Sequence, residues 1–451
     1  MKYTIFFAAL LFVLPMGVLM ASYSRRIREI VFGLLLFGTA FTDWFDINFV
    51  DRWWYAGSTR GIEVSFVDFL ALVLLFSTLL TMRREGARLF WPASLGLMLI
   101  FFGYGCFSVM TSDPKLFGLF ELTKLVRGFV VFLTVAWYVR TKRDAYVLMF
   151  ALGAVLIYEG GLSIWQRYIE SIYRVRGTFP HENILGDYCI LVAPVLLSCA
   201  LFPLRPVTRI FFAAAWTSAA VAVILTIARM PAAVFVAASA GVAVTGLGFR
   251  LDPQRLAIAL GLCILASALF YRGADRLLAR QEAADQASVD SSGDELRSRH
   301  YAMGFEMAKH HPFGVGLNNW GWYTNEYAQR LGFWSGLPYA STSDPGEGNA
   351  GQAHTLYGLT LGELGWPGLA IFSALVARWL CLSGSLLFAR PIDLWSRLGV
   401  GCFFGFLAEF VANGTEITFR NQQVLIIFNV LLGFVVAVRR ARIMDTIRGR
   451  P

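Results

Sequence analysis

Histidines and arginines are the residues in this chain with the most chemistry to offer, and they are unevenly placed. Three of the five histidines fall in ELRSRHYAMGFEMAKHHPFGVGLNNWGW, residues 295–322. A fourth, His354, opens HTLYGLTLGELGWPGL at 354–369, and the fifth, His181, lies in YRVRGTFPHENILGDY at 173–188. Arg229 stands in ILTIARMPAA, 224–233, with almost no loop between two apolar runs. A guanidinium grips phosphate with a planar fork, and an imidazole can take a proton near neutral pH. The sequence has no DxD pair, no carboxylate cluster and no HExxH. Metal-dependent use of a nucleotide sugar is therefore disfavoured, and a phosphate-bearing donor presented from the membrane fits better.

Each of these segments also has a plainer reading. Arg297, Tyr301, Phe305 and Ala308 recur at helical spacing, which predicts an amphipathic helix over 294–311 stopped by Pro312. Gly314 and Gly316 then let backbone N–H groups approach a ligand closely; alternatively, the segment is an interfacial helix followed by a glycine turn. Arg229 is costly at membrane depth unless it is paired or functional, or it snorkels to the interface. Arg176 belongs to a dense polar set at the mouth of a span, where arginines also bind lipid head groups non-specifically. Glu363 reads as a buried hydrogen bond to the bundle, and the glycines and Pro367 near it predict a kinked or interrupted helix.

The elements that must position these residues are membrane helices. Of the 451 residues, 57% are hydrophobic and 15% charged, well short of the roughly one quarter charged in soluble domains. Continuous apolar runs recur near 4–22, 29–48, 62–82, 91–110, 118–139, 145–167, 184–203, 209–227, 231–249, 255–271, 359–387, 397–413 and 421–438, which exclude a β-barrel. The expected fold is an all-α polytopic membrane protein of about 12–13 transmembrane helices, with one large extracytoplasmic loop containing an amphipathic helix. The run Thr4–Met20 reads as a first span or signal anchor. The expected division is an N-terminal bundle over 1–271, the loop over 272–358, and C-terminal helices with a basic tail over 359–451. Alternate loops (24–29, 83–88, 140–144, 204–209, 250–255, 389–397) and the tail are basic, which puts them in the cytoplasm. All five histidines fall on the other side. The charge of +9 then reflects topology and gives no reason to expect nucleic acid. The six cysteines lie in or beside spans and form no disulfide framework or CxxC site. There is no ATP-binding loop.

RSRHYAMGFEMAKHHPFGVGLNNW resembles the signature of the bacterial O-antigen ligase/polymerase family, with Arg297, Tyr301, His311, Pro312, Gly314 and Gly316 in place. HTLYGLTLGELGWPGL is similar to a second block of that family, with His354, Glu363 and Gly365 in register and Thr355 replacing the usual asparagine. RGTFPHEN resembles a third. ARMPA resembles a fourth, except that Ala228 replaces a serine and Met230 a glycine.

The resemblance implies a glycosyltransferase of the bacterial cytoplasmic membrane. It would move a glycan from undecaprenyl pyrophosphate to an acceptor hydroxyl on the outer face, without metal or cofactor and with inversion at the anomeric carbon. The acceptor would be another glycan, lipid A–core or protein, so the product could be O-antigen, exopolysaccharide or glycoprotein. Under this resemblance His354 positions and deprotonates the acceptor, Arg229 and Arg297 clamp the pyrophosphate, and Arg176 assists. His311, Gly314 and Gly316 form the turn beside the substrate, with His311 either touching it or holding the turn's shape. Tyr301 and Trp320 stack on sugar rings or anchor the loop, and His300 and His310 read as solvated. The alternative is a transporter or flippase of polyprenyl-linked saccharide. It is disfavoured because in-span charges are few (Asp68, Glu121, Arg127, Glu159, Asp187, Glu409) and the polar cluster is one-sided.

Overall fold

The computed structural model describes residues 2–42, 46–55, 57–247, 293–333, 352–388 and 393–447. The expected span 255–271, Cys263, the boundary at 271/272 and the loop segments 272–292 and 334–351 lie outside the described residues.

Long apolar stretches become helices because in lipid each backbone polar group must be satisfied within its own segment. The chain opens with α1 (Lys2–Ala8), a π-helical segment (Ala9–Val13) and α2 (Leu14–Tyr23), followed by α3 (Arg25–Gly38). Then come α4 (Phe66–Met82), α5 (Leu95–Thr111), α6 (Lys115–Tyr138), α7 (Lys142–Tyr168), α8 (Glu182–Ala200), α9 (Pro206–Thr226) and α10 (Arg229–Leu247). Two polar helices, α11 (Gly293–His310) and α12 (Trp320–Arg330), form an arm before α13 (Leu356–Gly384), α14 (Leu394–Ala412) and α15 (Gln422–Ile447). Among the described residues, eight helices are long and apolar enough to cross a membrane. The protein is an all-α polytopic membrane protein, as its composition predicts.

The helix starts are written locally. Thr141 and Asp144 form a capping box at α7, with Thr141 N–H donating to Asp144 Oδ2 at 2.8 Å. Ser65 and Asp68 do the same at α4, at 2.7 Å. Every residue of α8 from Ile184 to Ala200 is buried, so α8 is the centre of the bundle, packed by α9, α10 and α14.

The expected span 29–48 stops as a helix at Gly38. Its remainder reaches strand β1 (Asp46–Asn48), which pairs antiparallel with β2 (Glu63–Ser65) in the register Ile47 opposite Val64. The expected span 62–82 therefore begins as a strand. This small hairpin holds the segment between α3 and α4 at the histidine end of the bundle, where Asn318 of the arm donates to Thr59 O at 2.8 Å. The N-terminus lies at the same end, with Phe6 against Phe49.

In-span charges are fixed by partners, as burial demands. Asp68 pairs with Arg127 at 2.7 Å. Glu121 pairs with Lys124 and with Arg420, each at 2.8 Å, and Arg420 also reaches Glu363 at 3.1 Å. Glu159 accepts from the Thr178 hydroxyl at 2.6 Å, Asp187 from Thr418, and Glu409 from Asn413 at 2.8 Å.

The arm corrects one expectation of phase. The face of α11 turned inward carries His300, Met303, Met307 and Ala308, whereas Tyr301 and Phe305 are exposed. Of the predicted stripe only Ala308 is buried, because the helix has a second apolar edge, whose Phe305 meets Trp366 edge-on at 5.9 Å. His300, read as solvated, is 1% exposed, while His310 is exposed and sits 2.9 Å from Glu306. Trp320 is also a core residue of the arm, packed with Met303, Met307 and Tyr327.

Candidate active site

His354 stands just before α13, between buried Ala353 and Thr355. The Leu356 N–H donates to both Asn413 O at 3.0 Å and Glu416 O at 2.9 Å. Behind the ring lies His300, whose Nδ1 accepts from the His354 backbone N–H at 3.4 Å. The backbone around His354 is thus held while its side chain stays 46% exposed at the mouth of the span.

The segment that follows α14 gathers the rest. Arg297 on α11 donates from Nε to Thr415 O at 3.1 Å and places Nη2 3.2 Å from Glu416 Oε1. One turn on, the Tyr301 hydroxyl donates to Gly414 O at 2.8 Å. Glu416 Oε2 faces His354 Nδ1 at 3.9 Å, too far for a direct hydrogen bond. Burial alone would push the Glu416 carboxyl up. The His354 ring and the Arg297 charge outweigh it, so the carboxyl stays below its ordinary range and is ionised at neutral pH.

Arg229 arrives by a backbone device. Ile227 adopts a left-handed conformation (φ 55°) that ends α9, costly for a β-branched residue. Two residues later α10 starts at Arg229. The junction is supported by Ala228 N–H donating to the Thr226 hydroxyl at 3.2 Å. Arg229 is exposed and forms no ion pair with the described residues. It puts a positive charge at the positive end of a helix, which is unfavourable until an anion binds. Arg174 lies alongside, ion-paired with Glu182 at the start of α8.

Arg174, Asn183, Arg229, Arg297 and Glu416 line one cavity of about 230 Å³. Three guanidinium groups line it against one lining carboxylate, and Arg174 is also paired with Glu182, so positive charge is in excess around the cavity. His354 stands beside it through Glu416. Segments from α8, α10, α11 and the loop after α14 thereby converge at one end of the bundle.

The other expected site residues are placed differently. Arg176 is exposed and does not line the cavity; Arg174, two residues earlier, does. Its loop is clamped from beneath, with Gln166 Nε2 donating to Gly177 O at 2.8 Å. His311 lies beside Tyr323 and Tyr327, and partial burial draws its imidazole below the ordinary range. Gly314 and Gly316 do not offer their N–H groups to a ligand. Gly314 donates to His311 O at 2.8 Å and Gly316 to Glu363 O at 2.9 Å.

The turn they form fills a break in α13. Gly365 is non-helical there (φ 64°, ψ −167°). Val315 N–H donates to Gly362 O at 3.0 Å, Trp366 N–H to Pro312 O at 3.1 Å, and the Tyr104 hydroxyl to Leu364 O at 2.8 Å. The interrupted helix expected near Pro367 is therefore present, and the turn supplies the partners that the break removes. A Cβ on Gly314 would come within 2.2 Å of Glu363 O, and one on Gly365 within 2.1 Å of Pro312 O.

Reading the sequence missed Glu416 and Arg174. The available signal for Glu416 was a lone carboxylate in the short polar run NGTE at 413–416, on the histidine side. For Arg174 it was a second arginine in YRVRG.

No curated protein matches this chain. Arg229, Arg297 and His354 fall within the stretch that a family comparison recognises, whereas Arg174 and Glu416 fall outside it. Over residues 213–373 the chain matches the family model described as O-antigen ligase, which supports its place in the O-antigen ligase/polymerase family.

Proposed function

We propose that this chain is a membrane glycosyltransferase that moves a glycan from undecaprenyl pyrophosphate to an acceptor hydroxyl, at the outer face of the bacterial cytoplasmic membrane. The observation that carries the reading is the meeting of Arg229, Arg297 and Arg174 around one cavity, with His354 coupled to it through Glu416. The basic loops at the opposite end of the bundle support this orientation.

In the proposed reaction the donor's pyrophosphate lies among the three guanidinium groups. The acceptor oxygen attacks the anomeric carbon, and its proton passes to His354. The bond from that carbon to the pyrophosphate oxygen breaks, and the electron pair leaves with the lipid pyrophosphate, where Arg229 and Arg297 meet the growing charge. A single displacement inverts the anomeric centre. The positive charge comes from arginine, so the step is metal-independent. Glu416 is a positioning residue. It keeps Arg297 at the cavity wall and holds the Nδ1 side of His354, leaving the other ring nitrogen for the acceptor. The domain division follows the same logic, with a bundle for the lipid donor and a polar arm for the water-facing acceptor.

The test is transfer by purified protein in nanodiscs, from a synthetic polyprenyl-pyrophosphate glycan, with and without chelator. Arg229→Ala, Arg297→Ala and His354→Ala are each expected to lose transfer, with chelator without effect. Full activity in Arg229→Ala and Arg297→Ala would remove the clamp. A deletion strain that accumulates single repeat units would indicate a polymerase, and long chains left on the carrier lipid a ligase.

A further inference from the structure

A second, larger cavity of about 860 Å³ lies at the other end of the bundle. Helix α14 fixes the relation: Trp395 at its start lines this cavity, while the segment after its end lines the candidate active site. Arg25, Arg28, Arg88, Arg140, Lys142 and Arg440 line the large cavity against only two carboxylates, Glu85 and Asp144. Both carboxylates are already engaged. Glu85 pairs with Arg28, and with Arg140 at 2.9 Å. Asp144 caps α7 and lies 3.6 Å from Arg25. Arg88, Lys142 and Arg440 have no acidic partner among the described residues.

The basic rule for inner loops explains positive charge at this end but not what is buried there. Tyr138 lines the cavity and is 7% exposed, and its buried hydroxyl has no hydrogen-bond partner. Arg28, also 7% exposed, leaves Nε unpartnered, and Arg140 leaves Nη2 unpartnered. Buried donors without acceptors are rare and call for one. Phe90, Trp137 and Trp395 supply apolar wall beside them, and Arg440 lies over Phe90 at 3.8 Å. An excess of cations, orphaned donors and an adjoining greasy wall together match a phosphate that carries hydrocarbon.

We propose that this cavity binds the phosphate of an anionic lipid head group, at the bundle end opposite the candidate active site. The arginine forks and Tyr138 donate to the phosphate oxygens, and the aromatic wall takes the glycerol and first chain carbons. The site does not depend on the catalytic reading, because its readout is lipid retention.

The experiment is native mass spectrometry and thermal unfolding of delipidated full-length protein, with phosphatidylglycerol, phosphatidylethanolamine or inorganic phosphate added. Phosphatidylglycerol is expected to stay bound under activation that strips phosphatidylethanolamine, and to raise the unfolding temperature. The double variant Arg88→Ala/Arg440→Ala should weaken that retention about tenfold or more, the worth of at least one charge-assisted hydrogen bond. Tyr138→Phe should weaken it too, and decides the matter if the double variant fails to fold. Arg84→Ala, an exposed arginine that does not line the cavity, should leave retention unchanged. Inorganic phosphate that stabilises alone and displaces the lipid would support the site with a soluble occupant. Equal retention of the two lipids would overturn the proposal, as would unchanged binding in Tyr138→Phe and the double variant, or equal loss in Arg84→Ala.

Discussion

Replacing Glu416 with glutamine isolates what one carboxylate does between Arg297 and His354, the proposed clamp and the proposed base. The change keeps size and an oxygen for Arg297 but removes the charge that lies 3.2 Å from Nη2 of Arg297 and 3.9 Å from Nδ1 of His354. At an effective dielectric of about 20 the bare attraction at the shorter distance would be about 5 kcal/mol. Arg297 is a quarter exposed, and a charged hydrogen bond in such a setting is worth about 1.5–3 kcal/mol. The His354 contact is longer and its side chain nearly half exposed, so it contributes under about 1 kcal/mol after solvent screening. The energetic loss is modest, but the geometric one is larger: a base that drifts by about 1 Å costs about 100-fold in rate. Meanwhile the cavity loses its one lining carboxylate and keeps its three arginines, so an anionic donor binds at least as well. Glu416→Gln should therefore lower kcat about 100-fold while KM for the donor stays level or falls. Single-turnover transfer of a fluorescent polyprenyl-pyrophosphate glycan in proteoliposomes, across donor concentrations, reads both quantities. A kcat within about threefold of wild type, or a KM that rises instead, would refute the positioning role.

Arg229→Ala and Arg297→Ala should both lower transfer by about 10²–10³. Only Arg297→Ala should lower the thermal midpoint in detergent, because Arg297 ties α11 to Thr415 and Glu416; an equal drop in Arg229→Ala would contradict this. Glu416 also sets a pH dependence. Its carboxyl is held below the ordinary range, so its stabilising contribution is complete above about pH 4.3 and is lost as pH falls through the lower folded-state value. Acid unfolding followed by tryptophan fluorescence should show this loss in wild type and a flatter profile in Glu416→Gln. Gly365→Ala should sharply reduce folded protein in the membrane, since the added carbon meets Pro312 O. Gly161→Ala, a helical position with open space around it, should be neutral or gain up to about 1 kcal/mol; membrane abundance by immunoblot compares the two. Trp320→Ala should cost about 3–5 kcal/mol as a cavity in the arm's core, read as a lower unfolding temperature. An unchanged temperature would show that the ring's burial contributes little.

The spans were legible because long apolar runs have few other ways to satisfy their backbone. Arg229 was legible because a charge with no loop around it has to be explained, and the break at Gly365 because glycine and proline cluster there. What the sequence could not convey was tertiary. Glu416 lies more than one hundred residues from Arg297 and outside any periodic pattern, so nothing local marks it as their shared partner. The phase of α11 was ambiguous because Tyr301 and Phe305 form one apolar stripe and Met303 and Met307 another, and only the packing of the arm chooses between them. The two glycines read equally well as a ligand cradle or as a plain turn after an interfacial helix. Their N–H groups turn out to be donated to protein carbonyls.

That turn bears on how the protein is made. The break in α13 leaves carbonyls at Gly362, Glu363 and Leu364 that the helix itself cannot satisfy, and two of them are met by the turn at 312–316, the third by Tyr104. A nascent segment 356–384 entering the bilayer alone would carry these groups into hydrocarbon, at a cost of several kcal/mol each. The polar arm precedes it in the chain and is therefore synthesised first. Biogenesis is thus expected to run in a fixed order: the arm folds first at its end of the bundle, and only then can the later segment settle as a span. In this sense a polar segment serves as the assembly partner of a membrane helix within the same chain.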